Sequence, residues 1–333
     1  AGFVASGPWG DALRNSNFSH PGSDGFYSAH KLLAGLCDQH NVAGNAQAKS
    51  VAIALTDFFY GRMKPLMETR GWKWWSFMFL APGNGGSGPD IGGIYEAFLN
   101  VYALSGQPHH LELASWFYNP FFFDPLLQGV DTLNAEHANA HLPVAVGVAR
   151  GAELTSNVTL RQVALKFFER LNSTYTFVTG GSSVNEFWHF PNQHGDAMAT
   201  TFNETDGSPI PIDSNGYHTQ EMCTNYNALK LIRHLLTWDA DVAFADAYEK
   251  LLVNGALGVQ KPGHMGVMSY LTPLGNGVNR GKFDWWGWGA ADNAFWCCYG
   301  TSVETFAKLG DSIFFASGTQ PKTLTVAQYI ASN

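Results

Sequence analysis

The chain has 333 residues, 14% charged and 14% aromatic, with a formal net charge of −8. So many aromatics beside so few charges exclude a disordered chain, and the length allows one large domain or two ordinary ones. The acidic balance, with no basic cluster to displace phosphate counterions, argues against nucleic-acid binding, and no apolar run approaches the roughly 18 residues of a membrane-spanning helix.

Ala1–Gly10 lacks a basic region followed by an apolar one, so either a signal peptide has been removed or the chain begins within a longer protein. Apolar spacing then predicts helices in pairs. Phe26–His40 is followed by Ala46–Met63, and Ile91–Leu104 leads through Ser105-Gly106-Gln107 into Pro108–Tyr118. Ala138–Leu154 pairs with Thr159–Leu171, and Gln220–Leu236 with Val242–Val253. Recurring hairpins that are apolar on two sides need neighbours on either hand. A closed (α/α) toroid supplies them without exposed ends, and an open solenoid is the alternative. The linkers Trp72–Gly93, Thr179–Thr219 and Gly275–Trp296 are long, aromatic and Gly-rich, the kind of loop on which sites are built. Ser312–Phe315 and Thr323–Ile330 read as strands at the start of a β domain.

Gly83-Asn-Gly-Gly-Ser-Gly88 matches the dinucleotide fingerprint, but Pro89 and Asp90 follow where a helix should open, and Asp90 reads as the cap of the next helix. His137 and His141, four residues apart on one helical face, suit sugar contact, a plain polar role at a helix start, or metal binding. Of the four cysteines (Cys37, Cys223, Cys297 and Cys298), the adjacent pair can bridge only through a strained ring. Glu221-Met-Cys223 with Cys297-Cys298 supplies a carboxylate and thiolates of the kind zinc prefers, though free cysteines also pack as small hydrophobes. Glu186, between a Gly-rich turn and Phe187-Trp188, is either an ordinary loop carboxylate or a general acid raised by burial. Sequons at Asn17, Asn157, Asn172 and Asn203 fit a glycosylated, secreted protein, and such triplets also arise by chance.

Over nearly its whole length the chain resembles glycoside hydrolase family 127, the β-L-arabinofuranosidases, and especially its plant-type relatives. The resemblance rests on Tyr27-Ser-Ala-His30-Lys31, Gly92-Gly-Ile-Tyr-Glu96, His137-Ala-Asn-Ala-His141-Leu-Pro and Thr179-Gly-Gly-Ser-Ser-Val-Asn-Glu186-Phe-Trp. It continues through Glu221-Met-Cys223-Thr-Asn-Tyr-Asn, Tyr270-Leu-Thr-Pro-Leu, Phe295-Trp-Cys297-Cys298-Tyr-Gly-Thr and Gly310-Asp-Ser-Ile-Phe. It implies an all-α (α/α)6 barrel over residues 1–310, lacking its first helices, and the beginning of a β-sandwich domain at 311–333. It further implies Zn2+ on Glu221, Cys223, Cys297 and Cys298, Cys297 as nucleophile, Glu186 as acid/base, and His30, His137 and Tyr270 as sugar contacts. The implied protein is a secreted, cell-wall or matrix hydrolase that acts with retention on L-arabinofuranose-containing glycans or glycoproteins, as part of a longer polypeptide or larger assembly. A hydrolase of another pectic sugar would share every catalytic residue. A catalytically silent wall component keeping the fold as an interaction module is the alternative from another class. The stretch Asn203–Asn215, within the 34 residues between Glu186 and Glu221, is longer than plant-type members suggest and suits a substrate rim. Met222 stands where the family often has a small polar residue.

Overall fold

The computed structural model describes residues 25–80, 91–188, 190–192, 219–275, 288–289, 296–318 and 321–332. The glycine motif at 83–88, Asp90, the sequons at Asn17 and Asn203, the 203–215 stretch and parts of all three long linkers lie outside them.

The helices are α1 (Phe26–Asn41), α2 (Ala46–Phe79), α3 (Ile94–Ser105), α4 (Pro108–Ser115), α5 (Pro120–Leu127), α6 (Ala138–Thr155), α7 (Val158–Arg170), α8 (Met222–Trp238), α9 (Val242–Leu251) and α10 (Cys297–Ala307). Single π-helical turns at Leu171–Tyr175 and Leu252–Ala256 extend α7 and α9. Local chemistry sets many of these limits. The Asn45 side chain accepts from Ala48 N–H, Asn157 from Thr159 and Leu160, and Asp241 from Ala243, each satisfying an otherwise unpaired first-turn donor. Gly106, left-handed at φ 67°, closes α3, and Pro108 opens α4 two residues later.

The predicted hairpins are present, with three differences. Helix α2 runs on past Met63 through Pro65 to Phe79, broken at Gly71, where φ is 73° and ψ 173°. Helix α3 starts at Ile94, three residues later than predicted, with Gly93 in the cap position. Helices α5 and α10 are additional. At the C-terminal end the strands are shorter than predicted: β1 (Phe314–Ala316) pairs antiparallel with β2 (Leu324–Val326), Phe314 opposite Val326 and Ala316 opposite Leu324. Among the described residues no helix is long and apolar enough to cross a membrane.

The chain divides into two compact units, Ala1–Thr132 with Ala140–Lys166, and Leu133–Asn139 with Phe167–Asn333. The first is organised by aromatic rings. Phe26 and Phe98 each meet Phe117 (centroids 5.1 and 5.5 Å), Phe59 meets Phe98 (5.7 Å), and the fully buried Trp75 stands edge-on to Phe117 (5.4 Å) while its Nε1–H donates to Trp116 O at 2.7 Å. Helix α3 is buried from Ile94 through Leu99, and α6 is buried almost continuously from Ala140 to Ala149, as helices covered on all sides must be. They approach so closely at Gly147 that a Cβ there would lie 2.6 Å from the Tyr95 ring and 3.0 Å from Glu96 N. His110, fully buried, holds α4 to α2: Nε2–H donates to Asp57 at 2.9 Å, while the Ser105 hydroxyl meets Nδ1 at 2.7 Å. In the second unit α8 packs against both α9 and α10.

Two glycine substitutions should therefore move stability in opposite directions. Gly147→Ala forces backbone and ring apart and should cost about 1–3 kcal/mol. Gly61→Ala, in α2 with nothing within 4 Å of the new methyl, should stabilise by about 0.4–1 kcal/mol. Denaturant unfolding of the two variants beside the parent chain measures both signs.

Candidate functional site

The second unit brings together Glu221, Cys223, Cys297 and Cys298, each offering a ligand atom within 4.8 Å of the others. Two helix starts deliver them. Glu221 occupies the cap position of α8 and Cys223 is the second residue of that helix, while Cys297 and Cys298 are the first two residues of α10. The Cys298 sulfur lies 3.2 Å from that of Cys223 and 3.4 Å from Glu221 Oε1. All four cysteines of the chain are free thiols, and a 3.2 Å sulfur separation is far beyond the ~2.05 Å of a disulfide. Around these donors, Cys223 N–H donates to the Cys298 sulfur, the Thr224 hydroxyl donates to Glu221 Oε2 at 2.9 Å, and Thr301 Oγ1 touches the Cys223 sulfur at 3.6 Å. Thr224 and Thr301 go unnoticed in the sequence. Thr224 carried a local signal, being three residues beyond Glu221 on the same helix, whereas Thr301 carried none.

Burial pushes the Cys223 and Cys298 thiols well above the ordinary thiol range. Burial, reinforced by Glu186 and Cys297, pushes the Glu221 carboxyl up to about 8. Such a donor set is costly to ionise by itself, and a dication is what offsets that cost. Tetrahedral zinc with sulfurs at ~2.3 Å spaces its ligands by about 3.8 Å, close to the separations here. The residues thus fit a metal.

Beside the sulfurs lies Glu186, about a quarter exposed. The Tyr270 hydroxyl donates to Glu186 Oε1 at 2.8 Å and also touches the Cys297 sulfur at 3.5 Å. These shared contacts keep the nearer Glu186 oxygen within roughly 6 Å of the Cys297 sulfur. Burial and the surrounding negative groups raise the Tyr270 phenol far above its usual range, so it stays a proton donor. His137 Nε2 approaches Glu186 Oε2 at 3.3 Å, and its ring stands edge-on to Phe187.

The backbone that presents Glu186 is unusual. Ser183, Asn185 and Glu186 all have positive φ (73°, 49° and 69°), a conformation that costs a residue with a Cβ about 1–2 kcal/mol. Anchors on both sides hold it. Trp188 is almost completely buried against Phe167 and Tyr175, and its Nε1–H donates to Ser182 Oγ at 3.1 Å. Ala135 N–H donates to Trp188 O, Trp188 N–H to Glu136 O, and Ala138 N–H to Glu186 O. Trp188 is thus an anchor in the core.

His137 and His141 have different surroundings. Helix α6 begins at Ala138, so His137 precedes it, paired with Phe187, whereas His141 is buried in the first unit and stacks on Phe122 at 4.3 Å. His30 is likewise a buried residue of the first unit. Its Nδ1 accepts from Gly93 N–H at 3.0 Å, which leaves the ring proton on Nε2, and a Cβ on Gly92 or Gly93 would strike the ring at 2.8 or 2.7 Å.

Left-handed strain at Glu186 makes a direct prediction. Glu186→Gly should be more stable than Glu186→Ala by about 1–2 kcal/mol, the reverse of their order in a helix, as read by thermal unfolding.

Comparison with known proteins gives the family and the fold. The family model described as "Beta-L-arabinofuranosidase, GH127 catalytic domain" matches residues 2–311. Among solved structures, the chain is similar to Ara127N-Se, a GH127 beta-L-arabinofuranosidase from Geobacillus Stearothermophilus T6. That likeness has 16% identity and a TM-score of 0.62 over 96% of this chain and 49% of that one. It is also similar to the GH127 beta-arabinofuranosidase BT3674, with 16% identity and a TM-score of 0.60 over 92% of this chain and 43% of that one. The chain thus spans less than half the length of either. Among proteins of curated function none matches significantly. The structural likeness shows the fold, an (α/α)6-type arrangement of helical hairpins with a small C-terminal sheet. By the match that covers nearly all of it, the chain belongs to the β-L-arabinofuranosidase GH127 catalytic-domain family.

Proposed function

We propose that this chain is the catalytic part of a secreted, retaining glycoside hydrolase that releases β-linked L-arabinofuranose from plant-type glycoproteins or polysaccharides. Family membership supports the reaction class. The observation that carries the mechanism is the Tyr270 hydroxyl, which touches both Glu186 and Cys297 and so sets an acid/base and a nucleophile across one small space. Of the three clustered sulfurs, Cys297 is the one not fully buried, and it is therefore the one a sugar can reach.

In the first step the Cys297 sulfur bonds to the anomeric carbon as the glycosidic C–O bond breaks, and Glu186 passes its proton to the departing oxygen. In the second, Glu186 takes a proton from water, the water oxygen bonds to the anomeric carbon, and the C–S electrons return to Cys297. Tyr270 keeps both groups in place through its one hydroxyl, and His137 lies against the far oxygen of Glu186. His137, Tyr270 and His30 are read as sugar contacts. Glu221, Cys223, Cys297 and Cys298 would hold zinc, which when bound supplies the positive charge that keeps the sulfurs as thiolates. Secretion is consistent with the sequons: Asn157 and Asn172 are exposed, and a glycan on the Asn157 nitrogen leaves Oδ1 free for its capping bonds.

Metal analysis of the purified chain should find one zinc, and Cys223→Ala should lose it. Cys297→Ser should abolish turnover of an aryl β-L-arabinofuranoside while sugar binding persists. Glu186→Gln should lower rates on substrates with poor leaving groups by about 10²–10⁴-fold and spare activated aryl glycosides. An active Cys297→Ser protein would refute the thiolate mechanism, and equal losses on both substrate types would make Glu186 a binding residue.

A further inference from the structure

Thr219–Met222 runs between two other segments of the second unit. On one side Val184 pairs with Thr219, and Gln220 N–H donates to Ser183 O at 3.1 Å. On the other, Thr272 N–H donates to Thr219 O and Gln220 O (3.0 and 3.3 Å), and Met222 N–H donates to Tyr270 O at 3.1 Å. The flanking segments carry Glu186 and Tyr270, and the central one carries Glu221. Gln220 stands at their junction.

Its conformation and surroundings are unusual for an amide. Gln220 is wholly buried and left-handed, with φ 53°. Its carboxamide lies against Gly181 so tightly that a Cβ there would be 2.1 Å from Oε1. Among the described residues, neither Oε1 nor Nε2 has a hydrogen-bond partner, nor do the buried hydroxyls of Ser183 and Thr272, whose backbones bond to that of Gln220. Buried polar groups are almost always satisfied by protein or by ordered water, and a buried water commonly serves about three of them. An apolar side chain of the same volume would fill this space without leaving a polar atom to satisfy. A satisfied polar network does something an apolar residue cannot, which is to specify one backbone path.

We propose that Gln220 is a positioning residue for Glu186: buried water, held by its carboxamide with the Ser183 and Thr272 hydroxyls, fixes the 181–186 loop on the left-handed path that presents the carboxylate to Cys297. The inference rests on the acid/base reading of Glu186 given above. Misplacing a catalytic group by about 1 Å can cost on the order of 10²-fold, so the effect is large enough to measure.

The test is Gln220→Met, with Ser183→Ala as the milder variant. Each is assayed on aryl β-L-arabinofuranosides with poor and with good leaving groups and followed by hydrogen–deuterium exchange. Gln220→Met should lose about 10–100-fold in kcat on the poor leaving group and less than about 3-fold on the good one, with KM little changed. Exchange should quicken in peptides covering 181–188 and stay unchanged in 297–307. If Gln220→Met does not fold, Ser183→Ala should give the same split at smaller size. Equal losses on the two substrates, or unchanged exchange at 181–188, overturn the proposal. A parent chain that cleaves neither substrate overturns the glycosidase reading instead, and the exchange data then decide alone whether Gln220 holds the loop.

Discussion

Three sulfurs and a carboxylate gathered at two helix starts form the constraint on which the rest of the second unit depends. A helix N-terminus carries about half a positive charge, which favours a nearby anion. Helices α8 and α10 both begin at the cluster, yet burial still drives Glu221, Cys223 and Cys298 toward their neutral forms. The dipoles cannot balance so much potential charge, and a bound cation can. The packing of α10 on α8 is thus as much a matter of assembling ligands as of burying apolar surface. Cys298 shows the dual role, since it is fully buried yet accepts from Cys223 N–H and lies against Glu221.

Cys297 lies where the cluster meets solvent. Cys297 is partly exposed and Cys298, one residue later, is buried, because successive helical residues point about 100° apart. One sulfur can therefore face outward while the next faces the core. Tyr270 connects the two chemistries from a separate segment. It has one proton to donate, and the 2.8 Å contact directs that proton toward Glu186 while the longer sulfur contact keeps Cys297 alongside.

How much of this was legible in the sequence depended on how local the cause was. The paired helices were legible because apolar spacing acts within a few residues. Helix α5 had a cap signal in Asn119-Pro120, obscured by the unbroken apolar run Phe121-Phe122-Phe123. Helix α10 had none: Gly300, Thr301, Val303 and Thr305 are poor helix formers, and contact with α8 overrides their preference. The ligands could be named from two short motifs, but their convergence needed the family resemblance, since 73 residues lie between Cys223 and Cys297. The two histidines differ in surroundings that their spacing does not reveal: His137 precedes helix α6 and meets Glu186 and Phe187, while His141 lies within the helix against Phe122.

Strain at Glu186 is the least local property of all. Nothing in Val184-Asn-Glu-Phe187 requires a left-handed glutamate, and an isolated loop of this sequence would relax to negative φ. The path is imposed from both ends, by Trp188 sunk in the core with its indole on Ser182, and by residues 135–138 pairing with 186–188. Both anchors are hydrogen-bonded, so the carboxylate inherits its position from them. That arrangement lets a carboxylate sit on an irregular turn and still be held closely, because the strain of about 1–2 kcal/mol per residue is offset by packing elsewhere in the unit. A loop free of strain would need no such anchors, and would be free to place Glu186 somewhere else.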